Sequence, residues 1–177
     1  NLKNKKMKKI IKVTLAVLLT LVIALVILNT LTTRSLKSEI IIDASSEEVW
    51  NVLMNHDAYP EWNPFIIKIS GSTKPGDYLE TTLQTEGNDP MVFKPIVLKN
   101  QFNQEFRWKG KLGIKGIFDG EHYFILEEIS PNQTRFIQGE NFTGLFSGLL
   151  MKMIGEDTKG GFISMNKALK TRVEGQH

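Results

Sequence analysis

Two residues in the second half of the chain could carry out acid–base chemistry together, His122 and Glu140. Each lies in a run of β-branched and aromatic residues of the kind that forms strands. Because side chains alternate between the faces of a strand, His122 shares a face with Phe124, and Glu140 shares one with Gln138 and Phe142. The aromatic members predict that both faces point inward. A buried carboxyl must be paired or protonated, so we expect these two side chains to meet.

The pairing of the two strands decides how closely the imidazole and the carboxyl approach. If the inward faces coincide, we expect Phe124 opposite Glu140 and His122 opposite Phe142, with a five-residue loop or a bulge around 130–134. This register would place His122 and Glu140 diagonally, about 7–8 Å apart at Cα. The pair could be a structural contact, a ligand-orienting group or an acid–base couple, and the sequence leaves all three open.

Large apolar residues near this pair are candidates for the wall of a binding site. Those on the predicted strands and turns, with the other inward residues of the pair's own strands, are Trp62, Phe65, Phe93, Phe106, Trp108, Phe118, Phe124, Phe136, Gln138 and Phe142. The predicted terminal helix adds Phe146, Leu150 and Met153. Aromatic residues on strands commonly pack in a core, so each candidate also has a purely structural interpretation.

Missing residue types and spacings exclude several kinds of chemistry. The chain has no cysteine, so disulfides, thiolate ligands and a cysteine nucleophile are ruled out. His56, His122 and His177 lack metal-ligand spacing, and no HExxH motif accompanies them. The glycine-rich stretch 110–116 lacks the spacing of a phosphate-binding loop, and there is no G-x-S-x-G motif. We therefore expect no metal and no cofactor.

Seven strands are predicted to position the candidate residues. They fall at 38–43, 65–70, 77–86, 91–101, 105–112, 118–129 and 134–143. The connections after the second strand are mostly short, which favours antiparallel pairing because parallel neighbours need long crossovers. A short helix is predicted after the first strand, from the capping-box spacing of Ser45 and Glu48, and the breaker-rich segment 55–64 ends it.

The last part of the chain changes to a helical period. Apolar residues recur at helical spacing, at Phe146, Leu149, Leu150, Met153 and Ile154 and again at Phe162, Met165, Leu169 and Val173. This pattern predicts one long helix, with glycines at 155, 160 and 161 that could bend it. Its stripe can be buried only against the concave face of the sheet. The predicted fold class is therefore α+β.

The N-terminal segment 13–31 is uncharged and almost entirely aliphatic, which predicts a membrane-spanning helix. Six lysines precede it, so the positive-inside rule places the N-terminal side in the cytoplasm and the domain outside. A cleaved signal peptide is the alternative, although 29–33 offers no Ala-x-Ala site. We expect a basic tail at 1–12, an anchor at 13–31, a linker at 32–37, a domain at 38–175 and a location in the cell membrane.

Charge is distributed unevenly along the chain. The first 37 residues hold eight of the 22 basic residues and none of the 19 acidic ones, which leaves the rest with a net charge of −5. The membrane-proximal lysines suit an anionic inner leaflet. A nucleic-acid partner is therefore not expected, and the predicted partners are the membrane and a hydrophobic small molecule or lipid.

Several motifs resemble a known superfamily. The stretches ASSEEVW at 44–50 and DAYPEWNPF at 57–65 are similar to the opening of START-like polyketide cyclase/dehydrase (SRPBCC) proteins, and 122–126, 134–136, 140–144 and 161–170 reinforce the match. The resemblance covers about 38–173. It implies a helix-grip fold, in which a curved seven-stranded antiparallel sheet wraps a long C-terminal helix around a cavity for lipids, polyketides or similar metabolites. Fold alone does not decide among the functions of that superfamily.

Three functions remain open on these grounds. The first is a membrane-anchored binding module that holds a small hydrophobic ligand, with His122 and Glu140 orienting it. The second is a cyclase- or dehydratase-like enzyme in which Glu140 or His122 abstracts a proton. The third is a structural envelope protein without a ligand. We expect binding rather than catalysis.

Overall fold

A computed structural model of the chain describes residues 2–85 and 87–175. Glu86, the expected end of the third strand, and His177 lie outside these residues. The chain begins with helix α1 (Leu2–Leu31), which contains the predicted span 13–31 and also the six lysines before it. Part of this helix, Asn4–Leu31, is long and apolar enough to cross a membrane, and its 18-residue apolar window has a mean hydropathy of 2.9 and no buried residue.

Eight strands follow α1 and form two antiparallel sheets. They are β1 (Arg34–Ile42), β2 (Ile66–Gly71), β3 (Leu79–Leu83), β4 (Met91–Phe93), β5 (Ile96–Gln101), β6 (Glu105–Lys111), β7 (Asp119–Ser130) and β8 (Gln133–Thr143). The five-stranded sheet has the order β1-β8-β7-β6-β5, and the three-stranded sheet has the order β2-β3-β4. β1 begins inside the segment 32–37 that the sequence assigned to a linker, so two residues separate it from α1.

The predicted strand 91–101 is divided at Pro95, which explains eight strands where seven were expected. Proline has no backbone N–H to donate and interrupts a ladder. The carbonyl of Pro95 still accepts from Leu79 N at 2.9 Å, and Val97 N donates to Asp77 O at 2.9 Å. These bonds join the two sheets, so the chain keeps the continuous wrap of the expected helix-grip fold.

Two short helices lie between β1 and β2. Helix α2 (Ser46–Met54) starts with the expected capping box, in which Glu48 N donates to Ser45 Oγ and Ser45 N donates to Glu48 Oε2. A 3-10 turn (His56–Ala58) leads into helix α3 (Tyr59–Trp62). The buried hydroxyl of Tyr59 donates to Leu53 O at 2.7 Å, and its burial raises its pKa well above the usual range.

His56 lies between α2 and α3 and packs against aromatic rings. Its imidazole stacks on Phe106, with ring centroids 5.8 Å apart, and meets the edge of Tyr59 at 5.2 Å. Burial lowers the pKa of His56 to about 4, while nearby Asp57 acts in the opposite direction. This histidine is therefore neutral in the folded protein near neutral pH.

Helix α4 (Ser147–Glu174) is continuous through its glycines and lies across the concave side of the sheet. Its stripe of Phe162, Met165, Leu169 and Val173 is fully buried in the core. Polar side chains also fix it against β1, since Asn166 Nδ2 donates to Ser38 Oγ and Lys170 Nζ donates to Ile41 O. Gly161 allows close packing, because a side chain there would overlap the ring of Phe65.

Candidate functional site

A cavity lies between the sheet and the N-terminal half of α4. It encloses about 100 Å³, and the space including its open mouth amounts to about 800 Å³. The lining is mainly apolar and comes from β3, β4, β6, β7, β8 and α4. The lining residues are Phe65, Thr81, Leu83, Thr85, Asp89, Met91, Phe93, Pro95, Trp108, Gly110, Lys111, Leu112, Phe118, Gly120, His122, Glu140, Ile154 and Thr158.

His122 and Glu140 form a contacting polar pair in the cavity wall. They stand directly opposite each other on β7 and β8, and His122 Nδ1 lies 3.4 Å from Glu140 Oε2. The His122 side chain is 4% exposed and that of Glu140 is 16% exposed. The expected contact therefore exists, with the carboxyl as the more accessible member.

The register of this hairpin differs from the sequence prediction. Phe124 pairs with Gln138 rather than Glu140, and His122 pairs with Glu140 rather than Phe142. The turn is short, because Ser130 pairs with Gln133 and a bulge follows at Glu128. This connection shifts β8 by two residues relative to the expected register. Because the shift is two residues, the same side chains of β8 still point inward, and Glu140 lies directly opposite His122 instead of diagonal to it.

The buried Gln138 side chain contacts the other imidazole nitrogen. Its Nε2 atom lies 3.3 Å from His122 Nε2 and 3.4 Å from Met165 Sδ, and its Oε1 atom is buried without a hydrogen-bond partner in the part of the chain that the structure describes. Gln138 and Glu140 therefore contact the two ring nitrogens of His122, Nε2 and Nδ1 respectively.

Aromatic rings fix the orientation of the imidazole. Trp108 stacks on His122 with centroids 4.7 Å apart and planes 12° apart. Phe124 and Phe162 meet the imidazole edge-on at 4.9 and 5.2 Å. The ring is thus enclosed on several sides, and its polar contacts are those with Gln138 and Glu140.

A glycine on β7 makes room for the carboxyl. A β-carbon at Gly120 would overlap Glu140 Oε1 and would lie 3.6 Å from the Phe142 ring. Gly120 itself lines the cavity. The absence of a side chain at this position therefore lets Glu140 lie flat along the wall, with one oxygen at the histidine and the other over the β7 backbone.

The structure separates the candidate site residues into four groups. Phe65, Phe93, Trp108, Phe118, His122 and Glu140 line the cavity. A second group is buried beside the cavity: Phe106, Phe124, Phe136 and Gln138. Phe142 is buried as well and stacks on Phe118, with ring centroids 5.2 Å apart. Phe146 and Met153 are exposed outside the cavity, and Leu150 also lies outside its lining. Trp62 lines a separate surface depression with Arg172.

Several lining residues did not stand out in the sequence. Thr81, Leu83 and Thr85 follow one face of β3 and its extension, so the two-residue alternation of that strand was an available signal. On α4 the lining residues are Ile154 and Thr158, one turn apart, and not Met153. A helix position differs from its neighbour by about 100° around the axis, and the apolar stripe alone does not resolve that rotation.

Metal ligands do not cluster in the part of the chain that the structure describes. Within residues 2–85 and 87–175, no group of three or more His, Cys, Asp or Glu residues could hold a metal ion. His122 and Glu140 together supply two donor groups, and the neighbouring rings supply none. The cavity wall therefore combines this contacting pair and a few further polar side chains with a mainly apolar surface.

Comparisons with known proteins agree with this architecture. Residues 33–174 match the family described as polyketide cyclase / dehydrase and lipid transport, and the chain belongs to this family. The START-like resemblance of the sequence is thereby confirmed. Comparison with curated proteins gave no match.

Solved structures share the fold at low sequence identity. Zhui aromatase/cyclase from Streptomyces sp. R1128 has a TM-score of 0.66 and 12% identity, over 81% of this chain and 94% of that one. Norcoclaurine synthase from Thalictrum flavum, in complex with dopamine and hydroxybenzaldehyde, has a TM-score of 0.65 and 15% identity, over 85% of this chain and 93% of that one. A START superfamily protein from Mycobacterium smegmatis has a TM-score of 0.61 and 21% identity, over 81% of this chain and 99% of that one. Family and fold together indicate hydrophobic-ligand binding or a polyketide-cyclase-like function.

Proposed function

We propose that this protein is a membrane-anchored binding module that holds a small hydrophobic molecule in the cavity between the sheet and α4. The observation that carries the proposal is a mainly apolar cavity whose wall holds a buried, contacting polar pair, His122 and Glu140. Ligand sites of this kind combine apolar burial, which provides affinity, with a few polar groups that fix orientation. A purely structural domain has no need of such a cavity.

The lining defines the chemistry of the ligand. Its body is apolar and flat or chain-like enough to lie between Trp108, Phe65 and Phe118. One end carries a hydrogen-bond donor, such as a hydroxyl, because Glu140 presents a carboxylate oxygen that accepts. The enclosed 100 Å³ holds only part of a lipid or polyketide, and the remainder occupies the mouth, where Met91 and Leu112 supply apolar surface.

Anchoring is part of the proposal. The span 13–31 is long enough to cross the hydrocarbon core, and the lysines before it favour a cytoplasmic location for the N-terminal side. The domain then lies outside the cytoplasm, attached to the cell membrane by a single retained helix.

Catalysis is the second candidate, and one observation favours it. His122 Nδ1 lies 3.4 Å from Glu140 Oε2, so the imidazole orients a carboxyl that can act as a general base. In that case Glu140 abstracts a proton from a carbon next to a carbonyl of the bound substrate, and His122 stabilises the carboxylate before transfer. The substrate class would be a polycarbonyl compound.

Mass spectrometry of the full chain, released from membranes of its own host in a mild detergent, tests the binding proposal. We expect a co-purifying hydrophobic compound in a defined ratio to protein. Leu83→Trp should abolish retention because it fills the cavity, whereas Leu98→Trp, on an exposed position of β5, should retain it. Equal retention by both variants would place the compound in the detergent or on the anchor and would contradict the proposal.

A further inference from the structure

Large apolar side chains are exposed at one end of the domain. Two lie in the connection between β6 and β7, one directly precedes α4, and two lie on its first turns, where positions three and four apart share a face. We call them the end patch: Leu112, Ile114, Phe146, Leu149 and Met153, which are between 46% and 75% exposed. Leu145 N donates to Gly116 O at 2.9 Å and Phe146 N donates to Ile117 O at 3.0 Å. These backbone hydrogen bonds hold the β6–β7 connection next to the start of α4.

The same end of the domain is fixed to the anchor helix. The side-chain amide of Asn29, in the last turn of α1, donates to Leu145 O. Arg34 donates to Ser147 Oγ at 2.7 Å and to Asn29 Oδ1 at 2.8 Å. These bonds place the start of α4 beside the end of the apolar helix. Phe146 therefore lies beside the C-terminal end of α1.

The charge around the end patch suits a lipid surface. The segments 109–118 and 143–154, which carry the end patch, contain four lysines and no acidic residue, although the chain after residue 37 is acidic overall. Asp119, Glu156 and Asp157 lie just beyond these segments. Lys111, Lys115 and Lys152 are exposed. Basic residues beside exposed apolar side chains are the combination that binds anionic membrane interfaces.

Part of the open side of the cavity lies at this end as well. The exposed lining residues are Lys111 and Leu112, at this end, and Asp89 and Met91, next to and on β4. Ile154, which also lines the cavity, follows Met153 on α4. A molecule that leaves the bilayer next to α1 would therefore meet the cavity without crossing the far side of the domain.

We propose that the end patch inserts into the bilayer surface around α1, so that the cavity mouth faces the lipid from which its ligand enters. This inference rests on the anchoring part of the proposed function. It adds a second membrane contact, made by the domain itself, and identifies the bilayer as the source of the ligand. Asn29 and Arg34 hold the domain in the orientation that this contact requires.

Site-specific fluorescence can test the contact, because a chain without cysteine accepts a single introduced label. Three single-cysteine variants of the full chain are labelled with an environment-sensitive dye and reconstituted into phosphatidylcholine–phosphatidylglycerol vesicles, with and without a spin label on the acyl chains. Met153→Cys reports the end patch and Leu25→Cys reports the anchor. Ile129→Cys is the control, since it is exposed near the opposite end of β7, about 30 Å from Asp119.

We expect the dye at positions 25 and 153 to be quenched several-fold more strongly than the dye at position 129, with a blue-shifted emission. Quenching at 25 with equal, weak quenching at 153 and 129 would overturn the inference and leave the anchor intact. Weak quenching at 25 would show that α1 does not span, and both the anchoring proposal and this inference would fail. Ligand retention, measured separately by mass spectrometry, does not depend on either result.

The side-chain hydrogen bonds between α1 and the start of α4 allow a second test. Arg34→Met removes the donors to Asn29 and Ser147 and leaves the end patch unchanged. We expect the quenching at position 153 to fall toward that at position 129, while quenching at position 25 stays the same. Unchanged quenching at 153 would contradict the orienting role of Arg34.

Discussion

The carboxyl of Glu140 lies over the backbone of Gly120 on the neighbouring strand, in the space that a side chain at residue 120 would fill. This relationship ties the position of the acid to the absence of a β-carbon. It also keeps Glu140 Oε2 within 3.4 Å of His122. Replacement of this glycine is therefore the mildest change that should separate the two groups.

Gly120→Ala should displace the Glu140 carboxyl from His122 and reduce ligand retention. Overpacking of this kind costs about 1–3 kcal/mol of unfolding free energy. Gly110→Ala is the matched control, since Gly110 also lines the cavity but a β-carbon there meets only Pro95, at an ordinary 3.7 Å. Chemical denaturation and the imidazole NMR signals of His122 measure the two effects. A shift of those signals by both variants alike would contradict the specific role of Gly120.

Glu140→Gln distinguishes binding from catalysis. If apolar burial dominates, the neutral amide should keep ligand retention within about a factor of three, because its oxygen still accepts a hydrogen bond. An enzyme should instead lose turnover by about a hundredfold or more while it still holds substrate. Glu127→Gln, at an exposed carboxylate paired with Arg135, is the control. Loss of retention and turnover in the same proportion would fit neither function.

Two adjacent glycines of α4 should respond to alanine in opposite directions. Gly161→Ala forces the Phe65 ring away from the helix and should lower the unfolding free energy by about 1–3 kcal/mol. Gly160 has open space around it, so Gly160→Ala should raise the unfolding free energy by about 0.5–1 kcal/mol through helix propensity. Thermal and urea unfolding compare the two. Stabilisation by both changes would mean that α4 does not approach Phe65 closely.

His56 should make the domain less stable in acid. Its pKa is about 4 in the folded protein against an ordinary value of 6.5, so the unfolded chain takes up the proton first as the pH falls. The neutral ring stabilises the fold fully above about pH 6.5, and that contribution declines until about pH 4. Between these pH values the domain should lose about 3 kcal/mol of unfolding free energy. Urea unfolding at several pH values between about 4 and 6.5 measures this loss.

His56→Phe provides the control for this prediction. Phenylalanine keeps the ring packing against Phe106 and Tyr59 and cannot take up a proton. The variant should therefore lose much less stability than the native chain between about pH 6.5 and pH 4. An equal loss in both proteins would assign the acid sensitivity to other groups.

Local signals in the sequence were sufficient for much of the fold. The capping box at Ser45 and Glu48 located α2, and the alternation of β7 placed His122 and Phe124 on the inward face. These features depend on neighbours within a few residues. Each was predicted because its physical cause lies in the same short segment.

Features set by turn geometry and by distant segments were harder to predict. The hairpin register was wrong because it depends on the short turn and the bulge near Ser130. The break at Pro95 has a local cause, the missing N–H of proline, but the way in which Leu79 N bonds the Pro95 carbonyl and joins the two sheets depends on a distant segment. The rotation of α4, which turns Ile154 and not Met153 to the cavity, follows from the close approach of Gly161 to Phe65.

Two residues, Thr32 and Thr33, separate α1 from β1, and this short connection limits how far the domain can move relative to the helix. A long flexible linker would let the domain sample a wide range of positions. Here any tilt of α1 also reorients the sheet. If α1 anchors the protein as proposed, the domain can exchange molecules only with the membrane next to it, and delivery to a distant acceptor requires lateral diffusion of the whole protein.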